Sequence, residues 1–250
     1  MPAPTSPPRP ASALVVAIDG PSGSGKSSVS RAVADRLGLE FLDTGAMYRA
    51  VCWWCRQLGT ELDDVPAVAQ AARDIDLHLG TDPAQPTVRV SGTDVAQAIR
   101  DPRISAAVSA VATNQQVRAE LQRRQREIIA SASRPGRPGI VAEGRDITTV
   151  VAPDADVRVL LTADADARLS RRAAQDQVGS DETAREATRD QVLRRDRDDA
   201  TVSQFHNAAD GVVTVDSSGL DLEQTVQVVL RLVRASTHAQ QPTPETEAHR

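Results

Sequence analysis

Residues 13–28, which read ALVVAIDGPSGSGKSS, decide how the rest of the chain is interpreted. The first part, residues 14–18, is a continuous apolar run of strand length. A glycine-rich segment follows, and after it apolar residues recur at helical spacing as far as Leu37, just before Gly38. The pattern therefore predicts a buried strand, a glycine loop and a helix in immediate succession.

The loop has the spacing Gly20-x-x-x-x-Gly25-Lys26-Ser27, which is typical of a phosphate-binding loop. Glycines let backbone N–H groups surround an anion, and a helix N-terminus favours negative charge. Lys26 would bind the β and γ phosphates of a nucleoside triphosphate, and the Ser27 hydroxyl would bind Mg²⁺. The alternative is a glycine-rich turn that merely contains a lysine, and both flanking elements argue against it. The predicted ATP-binding residues are Gly20, Pro21, Ser22, Gly23, Ser24, Gly25, Lys26, Ser27 and Ser28.

The use of basic residues supports this interpretation. Lys26 is the single lysine among 29 basic residues, and all the others are arginines. A compact ammonium group suits this position better than a planar guanidinium does. The sequence thus keeps lysine at the one place where the predicted loop needs it.

Composition limits the classes of protein that fit. With 250 residues, 40% of them hydrophobic and 25% charged, we expect a soluble α/β core with an inserted subdomain. A net charge of −5 argues against a general nucleic-acid coat. We find no apolar run of membrane-spanning length and no signal-peptide pattern, so we expect a cytoplasmic protein.

The two cysteines, Cys52 and Cys55, form the sequence C-W-W-C. This spacing could belong to a redox pair or to half of a metal site. However, the pair lies within a helical pattern, and no second cysteine or histidine pair is nearby. We therefore predict that both thiols belong to the core.

Turn residues and apolar periodicity divide the chain into segments. The alternation of strands and helices stops after residue 60 and resumes at 139, and a polar stretch near 175–183 separates two arginine-bearing helices. Such a stretch is typical of a lid that closes over phosphates. We expect a disordered extension at 1–12, a core at 13–60 and 139–234 with a lid at about 168–200, an insert at 61–138 and a disordered tail at 235–250.

Two polar motifs follow predicted strands. Residues 43–49, DTGAMYR, lead into a helix; they could form the edge of a site, or Thr44 could simply cap that helix. Residues 143–146, EGRD, stand at the carboxyl end of a strand, where open parallel sheets bind ligands. An acid there can lie behind Mg²⁺. The arginines of the helical stretch 104–131 could equally form a solvated face.

Five stretches in the same order resemble the bacterial cytidylate kinase family: IDGPSGSGKS, LDTGAMYR, VRVSGTDV, EGRDITTVV and RDRDD. The resemblance covers about residues 14–234. It implies a P-loop NTPase-type fold, with a parallel β-sheet flanked by helices, an inserted nucleoside monophosphate-binding subdomain at 61–138 and a lid. The phosphate-binding loop alone would indicate only an NTPase.

The resemblance also implies roles for individual residues. Arg49 and Arg145 would hold the acceptor phosphate, while Ser109, Arg118 and Asp146 would read the cytosine edge. Sugar contacts and lid arginines would complete the site. The catalytic residues implied are Lys26, Arg145, Arg171 and Arg172, and the substrate-binding residues are Thr44, Tyr48, Arg49, Ser109, Arg118, Arg145, Asp146, Arg195 and Asp199.

The chain departs from the family pattern at two positions. Val202 stands where many relatives have an arginine, so one phosphate contact is missing. Glu143 stands where an aspartate is common. Its side chain is longer by one methylene, which moves outward the carboxylate that would bind Mg²⁺ directly or through water.

The pair formed by Asp146 and Arg118 keeps the acceptor and donors that a cytosine needs. An alternative function for Asp146 is to cap a helix.

The implied activity is transfer of the γ-phosphoryl group of ATP, with Mg²⁺, to CMP or dCMP in pyrimidine nucleotide metabolism. The acceptor is already anionic, so the reaction needs alignment and charge neutralisation and no general base. We expect a monomer without nucleic-acid or membrane partners. Two alternatives remain open, namely another small-molecule P-loop kinase and a non-catalytic NTP-binding switch.

Overall fold

A computed structural model describes residues 13–175, 189–190, 194 and 196–239. The strands of these residues are β1 (Leu14–Asp19), β2 (Glu40–Asp43), β3 (Leu77–Leu79), β4 (Val88–Val90), β5 (Thr93–Asp94), β6 (Gly139–Gly144), β7 (Val157–Thr162) and β8 (Val213–Asp216). The longer helices are α1 (Lys26–Leu37), α2 (Thr44–Leu58), α3 (Val65–Asp74), α4 (Pro102–Ala112), α5 (Gln115–Ala132), α6 (Ala165–Gln175) and α7 (Leu222–Ala239).

A parallel five-stranded sheet forms the centre, with the strand order β2-β6-β1-β7-β8. In its register, Asp19 at the end of β1 lies beside Gly144 of β6, and Asp43 of β2 lies beside Glu143. Parallel strands end at the same edge of the sheet, so the segments that follow them meet there. The register therefore brings the glycine loop, the start of α2 and the segment after Gly144 together.

The strands read as apolar runs because both faces of the sheet are covered. Val16 and Ile18 of β1 pack with α1 and α7 on one face. Val15 and Ala17 point the other way, toward α5 and a short π-helical turn at Ile147–Val151. The result is a three-layer α/β arrangement, as the sequence predicts.

The segment between α2 and β6 contains a second, smaller sheet and shares an apolar core with α2. Strands β3, β4 and β5 form a small antiparallel sheet, α2 contacts strand β4, and α3 and α4 pack against α2 and α5. Their apolar core includes Cys52 and Cys55 of α2, which are fully buried free thiols. Burial raises the pKa of both thiols, that of Cys52 to about 11. The prediction that the cysteines belong to the core is confirmed.

Most predicted element ends agree with the structure. Helices α1 and α2 end at Gly38 and Gly59, whose positive φ values of 63° and 69° suit glycine. The predicted helical stretch 104–131 is two helices, because the Asn114 side chain accepts hydrogen bonds from Gln116 N and Val117 N and starts a new one. The last helix continues to Ala239, into the stretch 235–250 where a disordered tail is predicted. No helix of the described ranges is long and apolar enough to cross a bilayer.

Candidate active site

The glycine loop runs from the end of β1 to the start of α1. A side chain at Gly20 would place its Cβ 2.2 Å from the Leu161 carbonyl oxygen, so only glycine fits against β7. Gly25 precedes α1 with φ of 87°, a left-handed conformation that glycine adopts readily. The helix therefore begins at Lys26, and the backbone N–H groups of its first turn point toward the end of the helix where the loop lies.

Lys26 and Ser27 both contact Glu143 at the end of β6. The Ser27 hydroxyl donates a hydrogen bond of 2.5 Å to Glu143 Oε1, and Lys26 Nζ lies 3.9 Å from Oε2. Lys26 Nζ also donates to the Pro21 carbonyl at 3.4 Å. The lysine, the hydroxyl and the carboxylate that the sequence assigns to phosphate and metal binding are thus adjacent.

Two carboxylates, Asp43 and Glu143, stand side by side on neighbouring strands. Burial and the charge of Asp43 raise the pKa of Glu143. Burial alone would raise the pKa of Asp43 too, but the Arg49 guanidinium and the Ala46 N–H outweigh it and lower the pKa. A cation would relieve the repulsion between two buried carboxylates on neighbouring strands.

The alternative prediction that Thr44 caps α2 is wrong. Asp43 is the cap, because its carboxylate accepts a hydrogen bond from Ala46 N at 2.9 Å. The Thr44 hydroxyl donates instead to the Glu143 carbonyl at 2.7 Å, joining α2 to β6. Arg49, one turn later, donates to Asp43 Oδ2 at 2.9 Å, so its guanidinium lies at this sheet edge.

Arg145 lies where β6 leaves the sheet and contacts several groups at once. It donates to the Gly20 carbonyl, to Asp199 Oδ2 at 3.0 Å and to Asp196 Oδ1 at 3.4 Å. Its guanidinium also lies over the Phe205 ring, 4.7 Å from the ring centre. One arginine therefore joins the glycine loop to residues 196–205.

Asp146 pairs with α5, and its predicted alternative as a helix cap is wrong. No backbone N–H of the following turn donates to its side chain. Instead, Asp146 Oδ2 accepts hydrogen bonds from Arg118 Nη2 at 2.5 Å and Gln122 Nε2 at 2.7 Å. Arg118 also donates to the Ser203 hydroxyl at 2.7 Å. The structure thus brings together Arg118 and Asp146, which the sequence separates by 28 positions.

The cap of that turn is Asp19, a residue with no predicted role. Its buried carboxylate accepts hydrogen bonds from Ile147 N at 3.0 Å, Thr148 N at 2.7 Å and the Thr148 hydroxyl at 2.6 Å. Burial raises the pKa of Asp19 to about 6, even though these hydrogen bonds act in the opposite direction. Asp19 therefore fixes the segment that carries Arg145 and Asp146 to the strand that carries the glycine loop.

Other predicted site residues lie around this centre. Tyr48 is buried, and burial together with the charge of Asp146 raises the pKa of its hydroxyl. Ser109 is half-buried on α4, one turn before Ala112, whose carbonyl accepts from Arg118 at 3.2 Å. Arg195 and most of the predicted lid lie outside the described residues, so the roles assigned to them stay predictions.

Two arginines of α6, Arg168 and Arg171, donate hydrogen bonds to carbonyls of the glycine loop. Arg171 donates to the carbonyls of Ser24, Ser217 and Leu220, and Arg172 follows it on the helix. Their assignment to the transferring phosphoryl group stays a prediction. Arg168, which has no predicted role in the site, pairs with Asp196 and donates to the Ser22 carbonyl at 3.2 Å.

Asp196 is a second residue that sequence reasoning missed. Its Oδ1 accepts a hydrogen bond of 3.0 Å from Ser22 N in the glycine loop, and its other oxygen pairs with Arg168. The RDRDD motif contains this residue, and a carboxylate between arginines was the signal that could have identified it. For Asp19, the only local signal was an acid at the end of an apolar strand.

The described residues contain no cluster of three or more His, Cys, Asp or Glu side chains able to hold a metal alone. Ser27 and Glu143 supply oxygen atoms of the kind that Mg²⁺ prefers, and Mg²⁺ commonly completes its shell with phosphates and water. The donor set therefore fits a metal that arrives with a nucleotide.

A parallel sheet, a glycine loop ending in Lys26 and Ser27, and a helix that begins at the loop define a P-loop nucleotide-binding protein. Comparison with known proteins gives the family. The profile described as "Cytidylate kinase" matches residues 16–235. The chain belongs to the cytidylate kinase family.

Individual relatives cover almost the same span. A cytidylate kinase of Cutibacterium acnes is 50% identical over 223 residues, which are 89% of this chain and 96% of the relative. One from Streptomyces coelicolor is 47% identical over 233 residues, covering 92% and 95%. One from Nocardia farcinica is 45% identical over 224 residues, covering 88% and 93%.

Proposed function

We propose that this protein transfers the γ-phosphoryl group of ATP to CMP or dCMP, giving ADP and CDP or dCDP. The observation that carries the proposal is the position of Arg145. Its guanidinium reaches the Gly20 carbonyl in the glycine loop, and the next residue, Asp146, pairs with Arg118. Arg145 therefore connects the phosphate-binding loop to the pair of Asp146 and Arg118, which suits the edge of a pyrimidine.

The donor nucleotide binds in the glycine loop. The N–H groups at the start of α1 and the Lys26 ammonium neutralise the phosphates. Ser27 and Glu143 would hold Mg²⁺ with the nucleotide, Glu143 directly or through water, and the ion would supply positive charge beside the β and γ phosphates. These residues supply charge and orientation, which is most of what phosphoryl transfer requires.

The acceptor nucleotide binds on the opposite side of Arg145. Arg49 and Arg145 hold its phosphate, and Arg118 and Asp146 meet the donor and acceptor groups of cytosine. In the structure Arg145 contacts Asp196 and Asp199. An arriving phosphate would compete with these carboxylates for the guanidinium, because it offers charged oxygens in the same geometry.

The proposal extends to the organisation of the chain. Residues 61–138 form the monophosphate-binding subdomain and residues of about 168–200 a lid, whose arginines Arg171 and Arg172 reach the transferring phosphoryl group on closure, while Arg195 and Asp199 contact the sugar. The protein acts as a cytoplasmic monomer on small molecules, without nucleic-acid or membrane partners.

Steady-state kinetics with purified protein, ATP, Mg²⁺ and each nucleoside monophosphate in turn test the proposal. We expect CMP and dCMP to have the highest kcat/KM. Another P-loop kinase would show ATP binding but no transfer to any nucleoside monophosphate. A nucleotide switch would bind ATP without transfer to any small acceptor.

A further inference from the structure

Asp146 uses its two carboxylate oxygens unequally. Both hydrogen bonds that the structure gives to its side chain, from Arg118 Nη2 and Gln122 Nε2, end on Oδ2. Asp146 is only 4% exposed, so little of its side chain is open to solvent. In the described part of the chain Oδ1 is left as the acceptor available to a ligand.

The two donors reach Asp146 from one face of α5, since Arg118 and Gln122 are one helical turn apart. Arg118 is held independently by the Ala112 carbonyl and the Ser203 hydroxyl. A carboxylate accepts and never donates while ionised, so the amide of Gln122 must present its NH₂ group. Gln122 thus adds a second donor to the same oxygen, and together the two donors orient the carboxylate.

Cytosine and uracil differ at the group that this carboxylate would meet. Cytosine carries an amino donor at ring position 4, whereas the uracil ring carries a carbonyl acceptor there, like thymine. An acceptor that faces Oδ1 leaves two oxygens without a proton between them, and a buried unsatisfied acceptor is costly. The orientation of Asp146 therefore determines which base is accepted.

We infer that Gln122 is a positioning residue for base selectivity: by donating to Asp146 Oδ2 beside Arg118, it directs Oδ1 toward the cytosine amino group and against a uracil carbonyl. The inference rests on the proposed function. No substrate atom needs to touch Gln122, because its effect passes through Asp146.

The experiment compares kcat/KM for CMP and UMP in Gln122→Met, which keeps the length of the side chain but removes the donor. We expect the CMP value to fall about 10-fold, the size of a lost hydrogen bond to a charged group. The UMP value should stay the same or rise, because the orientation of Oδ1 acts against a uracil carbonyl, and the KM for ATP should stay within about twofold. Gln115→Met, on an exposed position of the same helix, is the matched control and should match the wild type.

Gln122→Asn provides a second variant that keeps an amide in case the methionine variant does not fold. Its NH₂ group is one methylene short of Asp146, so we expect the same loss of CMP preference. If kcat/KM falls equally for CMP and UMP, so that their ratio is unchanged, the inference is overturned. The proposed function would still stand, provided that the wild-type protein phosphorylates CMP. A wild-type protein that does not phosphorylate CMP would instead refute the proposed function.

Discussion

The Ser27 hydroxyl donates a 2.5 Å hydrogen bond to Glu143, joining the first turn of α1 to the end of β6. The two residues are 116 positions apart in the chain. Through this contact, the loop that binds phosphate and the strand that leads to Arg145 share one carboxylate. Any Mg²⁺ held by Ser27 would lie next to Glu143 for the same reason.

Glu143→Gln should raise the Mg²⁺ concentration that half-maximal activity requires, without unfolding the protein. The amide can still accept from Ser27, but it no longer offers negative charge to a cation. Losing a partner of this kind costs about 10–100-fold in metal affinity or activity. A Mg²⁺ titration at saturating ATP measures the effect, with the exposed Glu61→Gln as control. Identical titrations for the wild type and the variant would exclude Glu143 from the metal site.

Lys26 should report occupancy of the loop directly, because an amine-reactive reagent has only this lysine and the N-terminus as targets. We expect acylation of Lys26 to abolish activity in step with modification, since the amide removes the charge that neutralises the phosphates. MgATP should protect Lys26 strongly and CMP much less. Peptide mass mapping measures this, with the N-terminus as internal control. Equal labelling of Lys26 with and without bound MgATP would contradict the phosphate contact.

Arg145→Lys should reduce kcat/KM for CMP by about 30-fold or more, which corresponds to about 2 kcal/mol. A lysine cannot reproduce the bidentate contact with a phosphate, nor reach the Gly20 carbonyl and Asp199 at once. Arg123→Lys, on the outer face of α5, is the control and should behave as the wild type. Unchanged kinetics of Arg145→Lys would remove this residue from the acceptor site.

Asp19 should make the protein less stable as the pH rises. The pKa of Asp19 is about 6 in the folded protein and 3.8 without burial, so the folded state keeps its proton longer than the unfolded state. The free energy of unfolding should therefore fall by about 3 kcal/mol as the pH rises from about 4 to above 6. Urea unfolding at several pH values in this range measures the free energy of unfolding. This free energy should change less with pH in Asp19→Asn than in the wild type or in Asp63→Asn. An equal dependence on pH in all three proteins would mean that the pKa of the Asp19 carboxyl is not raised by folding.

The sequence predicts the fold well where local patterns act. The run at 14–18, the glycines that end α1 and α2, and the acid at the end of β6 each leave a signal within a few residues. The site follows in outline, because carboxyl ends of parallel strands share one edge of the sheet. The sequence alone therefore predicts that Glu143 and Arg145 lie at this edge.

The remaining contacts depend on register and helix rotation, which local patterns do not encode. Asp19 caps a turn 128 positions later, and Asp196 reaches Ser22 across 174 positions. In the sequence, Gln122 is one of several polar residues of a charged helix, and only the structure shows that it lies on the side of α5 that faces Asp146. Thr44 shows the same limit, because two adjacent residues could cap α2 and only the structure identifies Asp43.

The most direct test of the account is a competition in one vessel. Purified protein receives ATP labelled in its γ-phosphoryl group, Mg²⁺, and equal amounts of CMP, dCMP, UMP, AMP and GMP, and the nucleotides are separated by anion exchange. We predict that the label appears first in CDP and dCDP, and that Lys26→Ala abolishes transfer. Label that accumulates first in another nucleoside diphosphate, or only in inorganic phosphate, would contradict the assignment of this protein as a kinase of cytidine monophosphates.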